Sequence, residues 1–149
     1  MSTEIRLLEA HEAAVLDRVA RGVFDNDLDP QCTAEFFADP RHHLAVAIED
    51  GVVVGMASGV HYVHPDKPPQ LFINEVGVAP THQGRGLGRQ LVDVLVRHAT
   101  DLQCTEAWVL TDRTNVVAQR LYEGAGGETP PDQCMMYTIR IVPAVVVAD

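Results

Sequence analysis

The segment from Leu71 to Gly88, LFINEVGVAPTHQGRGLG, constrains the fold of this chain more than any other stretch. An apolar run gives way to closely spaced glycines, and the apolar positions after them, Leu87, Leu91, Val94, Leu95 and Ala99, recur at helical spacing to about Thr100. The pattern reads as a strand that enters a glycine-rich turn and leaves as a helix. Such a turn aims backbone N–H groups at an anion, and the helix dipole adds to the attraction. Spelling excludes two familiar phosphate loops. A P-loop requires Lys followed by Ser or Thr after its last glycine, whereas Gly88 is followed by Arg89 and Gln90. A dinucleotide fingerprint requires a glycine three residues after its second, and no register of Gly84, Gly86 and Gly88 supplies one.

Composition narrows the partners. The chain has 149 residues, 46% of them hydrophobic, which predicts one domain over residues 1–149 with one sizeable core. No run reaches the length of a membrane helix and the first residues lack the pattern of a signal peptide, so a cytoplasmic protein is expected. Cys32, Cys104 and Cys134 are odd in number and far apart, which predicts free thiols rather than a disulfide framework or a zinc site. A net charge of −10 disfavours nucleic acid and anionic membrane as partners and favours a cationic one. Against that acidity, Arg85 and Arg89 bracket the glycine turn, so positive charge is placed where a phosphate would go.

Along the chain, Glu4–Leu8 reads as a strand and Glu9–Val23 as a helix, followed by an acidic loop, FDNDLDP, and a short helix from Pro30 to about Ala38. The acids of that loop serve either as caps and turn residues or as an acidic lip over a cleft. A hairpin comes next, His43–Glu49 and Val52–Val63 about the turn Asp50-Gly51. HPDKPP, with three prolines, is expected to be a loop, and Gln70–Val78 the next strand. His61 and His64, three apart on a strand, point to opposite faces, so no metal site is expected. A strand at Glu106–Thr111, a helix capped at DRTN with Val117, Ala118, Leu121 and Tyr122 on one face, a last strand at Cys134–Val142 and the tail PAVVVAD complete the chain.

Two motifs now stand together: Gln83-x-x-Gly86-x-Gly88 at the mouth of one helix, and Asn115-x-x-Ala118-x-x-Leu121-Tyr122 followed by Gly126 on another. In these motifs and in its element order the chain resembles the GNAT superfamily of N-acetyltransferases. The resemblance implies an α/β (α+β) fold, with a central mixed, mostly antiparallel sheet of about six to seven strands flanked by about four helices. It implies acetyl-CoA as co-substrate, its pyrophosphate on Gln83, Gly84, Arg85, Gly86, Leu87 and Gly88. The backbones of Val76 and Val78, near a bulge where the strand splays, would receive the pantetheine arm and the thioester, with Asn115 contacting that arm or capping its helix.

The reaction sets its own requirements. An amine attacking a thioester must lose a proton, have its oxyanion held and expel a thiolate. Glu75, among apolar residues where burial raises a carboxylate pKa, fits the base, and Tyr122, whose phenol keeps its proton at neutral pH, fits the acid. The cysteines lie in neither motif, so direct transfer is expected. For the acceptor, DPRHHLAVAIEDGVVVGMASGVHYVHPDKPP and INEVGVAP are similar to the aminoglycoside 3-N-acetyltransferases. That similarity implies a small cationic amine, aminoglycoside-like or polyamine-like, and charge agrees independently, since a cleft lined by Asp25, Asp27, Asp29, Glu128 or Asp132 would concentrate it. The chain departs from that group at Glu75, where an aspartate is common, and at Asn115-Val116, where an acidic pair is expected. A protein N-terminal or lysine acetyltransferase and a non-catalytic acyl-CoA-binding module are the alternatives, and a homodimer is left open.

Overall fold

A computed structural model describes residues 2–132 and 134–142. Five strands, β1 (Glu4–Leu7), β2 (His42–Glu49), β3 (Val52–His64), β4 (Lys67–Val78) and β5 (Glu106–Val109), form one sheet in chain order. The first four are antiparallel neighbours and β5 runs parallel to β4. A 3₁₀ helix (Ala10–Asp17) and three α-helices, α1 (Pro30–Ala38), α2 (Leu87–Asp101) and α3 (Val116–Gly124), flank the sheet. This is the mixed, mostly antiparallel α/β architecture expected, with five strands among the described residues where six to seven were expected.

Both faces of the sheet are covered. On one, Ala45, Ala47, Val54, Ala57, Leu71 and Ile73 pack against Leu87, Leu91, Val92, Leu95 and Ala99 of α2, the stripe that the helical period announces. On the other, Leu44, Val46, Val53 and Met56 meet Val15, Leu16, Val19, Val23, Phe36 and Phe37. Coverage on two sides explains why Leu44–Ala47 and Val53–Ala57 are buried without alternation. The β2–β3 hairpin turns on Asp50 and Gly51, both with positive φ (53° and 76°), the conformation that a tight primed turn demands.

Three elements depart from the sequence pattern. The expected helix Glu9–Val23 stops at Asp17, because β3 extends beyond the end of β4 and residues 18–20 take the vacant edge: Val53 N–H donates to Arg18 O (2.9 Å) and Ala20 N–H to Val53 O (2.8 Å). The expected loop His64–Pro69 is shorter, since β4 begins at Lys67. Pro68 and Pro69 are accommodated at a register irregularity between Tyr62 and His64, where the ladder needs fewer donors. The expected strand Cys134–Val142 is not formed. Its residues are exposed and unpaired, because apolar alternation fixes which face a strand buries but not which edge it joins. Among the described residues no helix is long and apolar enough to cross a membrane.

Beneath α2 lies a file of three histidines. His43 Nε2 meets His61 Nδ1 at 2.7 Å, and His98 Nε2 meets His43 Nδ1 at 3.0 Å, joining β2, β3 and α2. His43 is only 6% exposed. Burial, followed by the neighbouring His98 and His61, lowers its pKa to about 4, and burial lowers that of His98 in the same direction. The fold therefore holds His43 neutral while the unfolded chain takes up a proton near pH 6.5. Stability is fully present above pH 6.5 and falls as pH drops toward 4, by roughly 3 kcal/mol over that window for a shift of this size. The depressed carboxyls, among them Glu12, Asp29 and Glu49, lose their contributions at lower pH, below the ordinary carboxylate range. Urea midpoints should thus fall between pH 6.5 and 5, and His43→Leu should flatten that slope; a wild-type midpoint constant over this interval would contradict the assignment.

Candidate active site

The site begins where two strands part. β4 and β5 pair from Gln70 with Glu106 to Ile73 with Val109 and then diverge, so the β5-facing backbone groups of residues 74–78 have no strand partner. At the same place β4 carries a bulge: Ser58 is opposite Glu75 and Gly59 opposite Ile73, leaving Asn74 as the extra residue. The extra residue reverses the facing of the remainder of the strand. Ile73 belongs to the α2 side, and so do Val76 and Val78, while Glu75 and Gly77 turn to the opposite face.

On the α2 side, the chain leaves β4 through a short 3₁₀ turn (Pro80–His82) and reaches the glycine segment. Gly84 and Gly86 adopt φ of +79° and +78°, and Gly86 is the left-handed residue on which α2 starts. Among the described residues, no backbone or side-chain acceptor engages the N–H groups of Gln83 through Arg89; the first helical bond beyond them runs from Gln90 N–H to Gly86 O (3.2 Å). A Cβ built at Gly84 or Gly86 would meet nothing within 4 Å. Free donors over open space at a helix start fit a pyrophosphate, because the backbone can approach an anion from several directions at once. Gly88 differs: its Cβ would lie 2.7 Å from Leu121 Cδ1, so this glycine admits α3 rather than a ligand.

Glu49, at the end of β2, anchors this turn. It accepts from Thr3 Oγ1 (3.0 Å), meets His82 Nε2 at 3.0 Å and lies 3.7 Å from Arg85 Nη1. The His82 and Thr3 hydrogen bonds hold its pKa below the usual carboxylate value. Gln83 Nε2 donates to Val78 O (3.2 Å), tying the turn to the end of β4. Arg89 is paired with Asp93 on the surface of α2 at 3.1 Å.

On the opposite face, Gly77 lets the main chain of Val23 pass so close that a Cβ would stand 2.0 Å from Val23 O. That approach brings the acidic loop to β4. Burial raises the pKa of Glu75 above the usual glutamate value, and the neighbouring charge and hydrogen bond of the Asp25 carboxyl raise it further. Asp25 and Asp27 line a cavity of about 380 Å³ with Arg21, Gly22, Phe24 and Leu28, two carboxylates to one guanidinium.

From α3, Leu121 packs into the contact of Gly88 and Val76, placing Tyr122 in the same layer, half-buried, its phenol pKa pushed up by burial. Asn115 Oδ1 accepts from Ala118 N–H (3.0 Å), so its side chain caps α3. Not every expected acid joins the site. Asp29 is the N-cap of α1, accepting from Cys32 N–H at 2.8 Å, and does not line the cavity. Glu128 and Asp132 are exposed on the coil after α3 and line neither the cavity nor the glycine turn. Glu49 and Gly77 escape a motif search, although a glycine inside an otherwise apolar strand is the ordinary signal of a close backbone approach.

Residues 10–126 match the model of the acetyltransferase (GNAT) family, and the chain belongs to this family. It is 32% identical over 92 residues to the aminoglycoside N(6')-acetyltransferase type 1 of Salmonella typhimurium strain LT2, an alignment covering 58% of this chain and 63% of that relative. It is also 32% identical over 114 residues to the L-2,4-diaminobutyric acid acetyltransferase of Streptomyces coelicolor, covering 74% and 66%. The chain thus spans somewhat under two thirds of the length of these relatives. Its fold superposes on a solved aminoglycoside N-acetyltransferase in complex with CoA, with a TM-score of 0.73 at 22% identity over 94% of this chain and 96% of that one.

Gly77→Ala should dislodge the Val23 loop, since neither backbone can yield the missing space without moving a strand or the loop. A loss of about 2–3 kcal/mol in denaturant unfolding is expected, typical of overpacking against main chain. A variant as stable as wild type would show that the loop is not held by this contact.

Proposed function

We propose that this chain is an acetyl-CoA-dependent N-acetyltransferase that moves an acetyl group directly to a primary amine of a small polyamino acceptor, with an aminoglycoside as the first candidate. The observation that carries the reading is the arrangement about β4: open N–H donors and a parted strand edge on one side, and on the other a raised-pKa carboxylate beside an acidic cavity. Acetyl-CoA, held with its pyrophosphate on Gln83–Gly88, supplies an activated acyl group. Val76 offers its backbone, and Val78 its N–H, at the edge without a strand partner to the pantetheine arm, and an N–H of this edge polarises the carbonyl under attack. Asp25 and Asp27 draw the cationic acceptor into the cavity by charge. Glu75 takes the amine proton; its pKa, raised toward the working range, makes it a better base than an ordinary glutamate. Tyr122, whose pKa keeps the phenol protonated at neutral pH, gives a proton to the departing sulfur.

The acceptor class is supported by charge and by kinship. Both relatives named above are designated for acceptors bearing more than one amino group. Their kinship gives no support to the 3-N regiochemistry that the sequence suggested, since the aminoglycoside relative is designated for the 6' nitrogen.

Release of free CoA thiol should be seen with acetyl-CoA and at least one member of a panel of aminoglycosides, diamino acids and polyamines. Glu75→Gln should lower kcat by about 10²–10³, in the range of general-base removal, with acetyl-CoA affinity retained, and Tyr122→Phe should lower kcat more modestly. The rising limb of the wild-type pH profile should lie above the ordinary glutamate pKa and vanish in Glu75→Gln. No thiol release with any amine would support an acyl-CoA-binding module instead.

A further inference from the structure

The chain has a single tryptophan, and the fold sets it beside the place where β4 and β5 part. Trp108 pairs with Phe72, one step before Ile73 and Val109, the last pair of that ladder. Leu71 and Ile73 face α2, so Phe72 and Trp108 face the other way, as Glu75 does. Their rings touch, with centroids 4.4 Å apart and planes 30° from parallel. Trp108 Nε1 donates to Tyr62 Oη (2.6 Å), and Tyr62 Oη donates to Gln70 Oε1 (2.8 Å). The polar atoms of indole and phenol are thus satisfied by each other and by Gln70, and three strands hold the indole in one orientation. Neither core takes in Tyr62, Phe72 or Trp108, and Trp108 is 38% exposed. A cross-strand aromatic pair stabilises a sheet edge wherever it occurs. The charges around this one point to a further use. Ser58 and Val60, neighbours on one face of β3, pair with Glu75 and Phe72, so Phe72 lies one pleat from Glu75, about 7 Å along the strand. Asp25 adjoins Glu75 at one end of the aromatic surface, and Glu106, paired with Gln70, flanks the other.

We propose that Phe72 and Trp108 are a platform for a saturated ring of the acceptor, an aminosugar or aminocyclitol that lays its C–H face on the indole and directs its ammonium groups to the acids at either end. The proposal rests on the transfer reading above and narrows its acceptor from any polyamine to a cyclic one. A flat aromatic surface held in place gains most from a rigid partner that presents several C–H groups at once. Ammonium substituents make those C–H groups more positive, and the negative face of the indole attracts them. An open-chain diamine must give up its rotamer freedom to lie on the same surface, so it gains less from it. Pockets for small molecules commonly pair an apolar wall with a few placed polar groups, and here Phe72 and Trp108 form the wall while Glu75 and Glu106 stand at its ends. A ring seated on the wall brings an amine substituent toward Glu75, whereas its opposite substituents reach Glu106.

Because Trp108 is the sole tryptophan, its emission reports on this surface alone. In the full chain loaded with CoA, kanamycin should shift that emission saturably and protect it from acrylamide quenching, while spermidine and 2,4-diaminobutyrate should not. In steady-state kinetics Trp108→Leu should raise the KM for kanamycin about tenfold, the scale of one lost aromatic face, with kcat and the KM for acetyl-CoA little changed. Trp108→Phe should restore most of that loss, and circular dichroism with thermal melting checks that both variants fold. Emission unmoved while kanamycin is acetylated, an equal response to spermidine, transfer to open-chain amines alone, or an unaltered kanamycin KM in a folded Trp108→Leu would each overturn the platform and leave the transfer reading standing. Absence of thiol release with every amine would defeat the transfer reading instead, and the wild-type titration, which needs no turnover, would still decide the platform.

Discussion

Everything in the site depends on β4 having a strand partner on only one edge after Ile73. Up to that residue β5 pairs with it; beyond, the two strands separate and the β5-side backbone groups of residues 74–78 have no strand partner among the described residues. Unpaired main-chain groups are costly when buried and water cannot reach them, so a groove lined by them suits a ligand that brings its own amides and carbonyls. The pantetheine arm of CoA is such a ligand. The bulge at Asn74 acts at the same point on side chains. One extra residue changes the parity of the strand, so Glu75 and Gly77 face the acidic loop while Val76 and Val78 face α2. Without it Glu75 would share a face with Ile73, beneath α2.

The two sides of β4 thereby acquire opposite electrostatic character in a strongly acidic protein. The α2 side offers a row of N–H groups at a helix start, with Arg85 nearby, and Glu49 holds that turn against the hairpin through His82. The opposite side offers Asp25 and Asp27 around a cavity. On the proposed function, that division would sort an anionic donor and a cationic acceptor to different faces of one strand by charge, with Glu75 on the acceptor's side. Gly77 makes this possible, since any side chain there would push the acidic loop away.

Local chemistry made much of this legible in the sequence. Asp50-Gly51 announces its turn, the apolar stripe of α2 announces its packing face, and the glycine segment announces the turn on which α2 starts, because each signal is written within a few residues. What could not be read depends on distant partners. Residues 18–20 abandon the helical pattern because β3 offers an edge that only the folded sheet reveals, and 134–142 keep the strand pattern without a strand to join. The three-histidine file draws on β2, β3 and α2, and nothing about His43, His61 or His98 taken singly predicts it. The acids of the site divide in the same way: Asp25 and Asp27 reach the cavity, while Asp29, two residues on, is claimed by the helix that it caps.

The central claim is that the backbone from Gln83 to Arg89 receives the pyrophosphate of CoA. Titration of ¹⁵N-labelled protein with CoA tests it residue by residue. The account predicts that the amide resonances of Gly84, Gly86, Leu87 and Gly88 move furthest, and after them those of Val76 and Val78 as the pantetheine arm enters the parted strands. Saturable binding that left the 83–89 amides in place, or no binding at all, would contradict it.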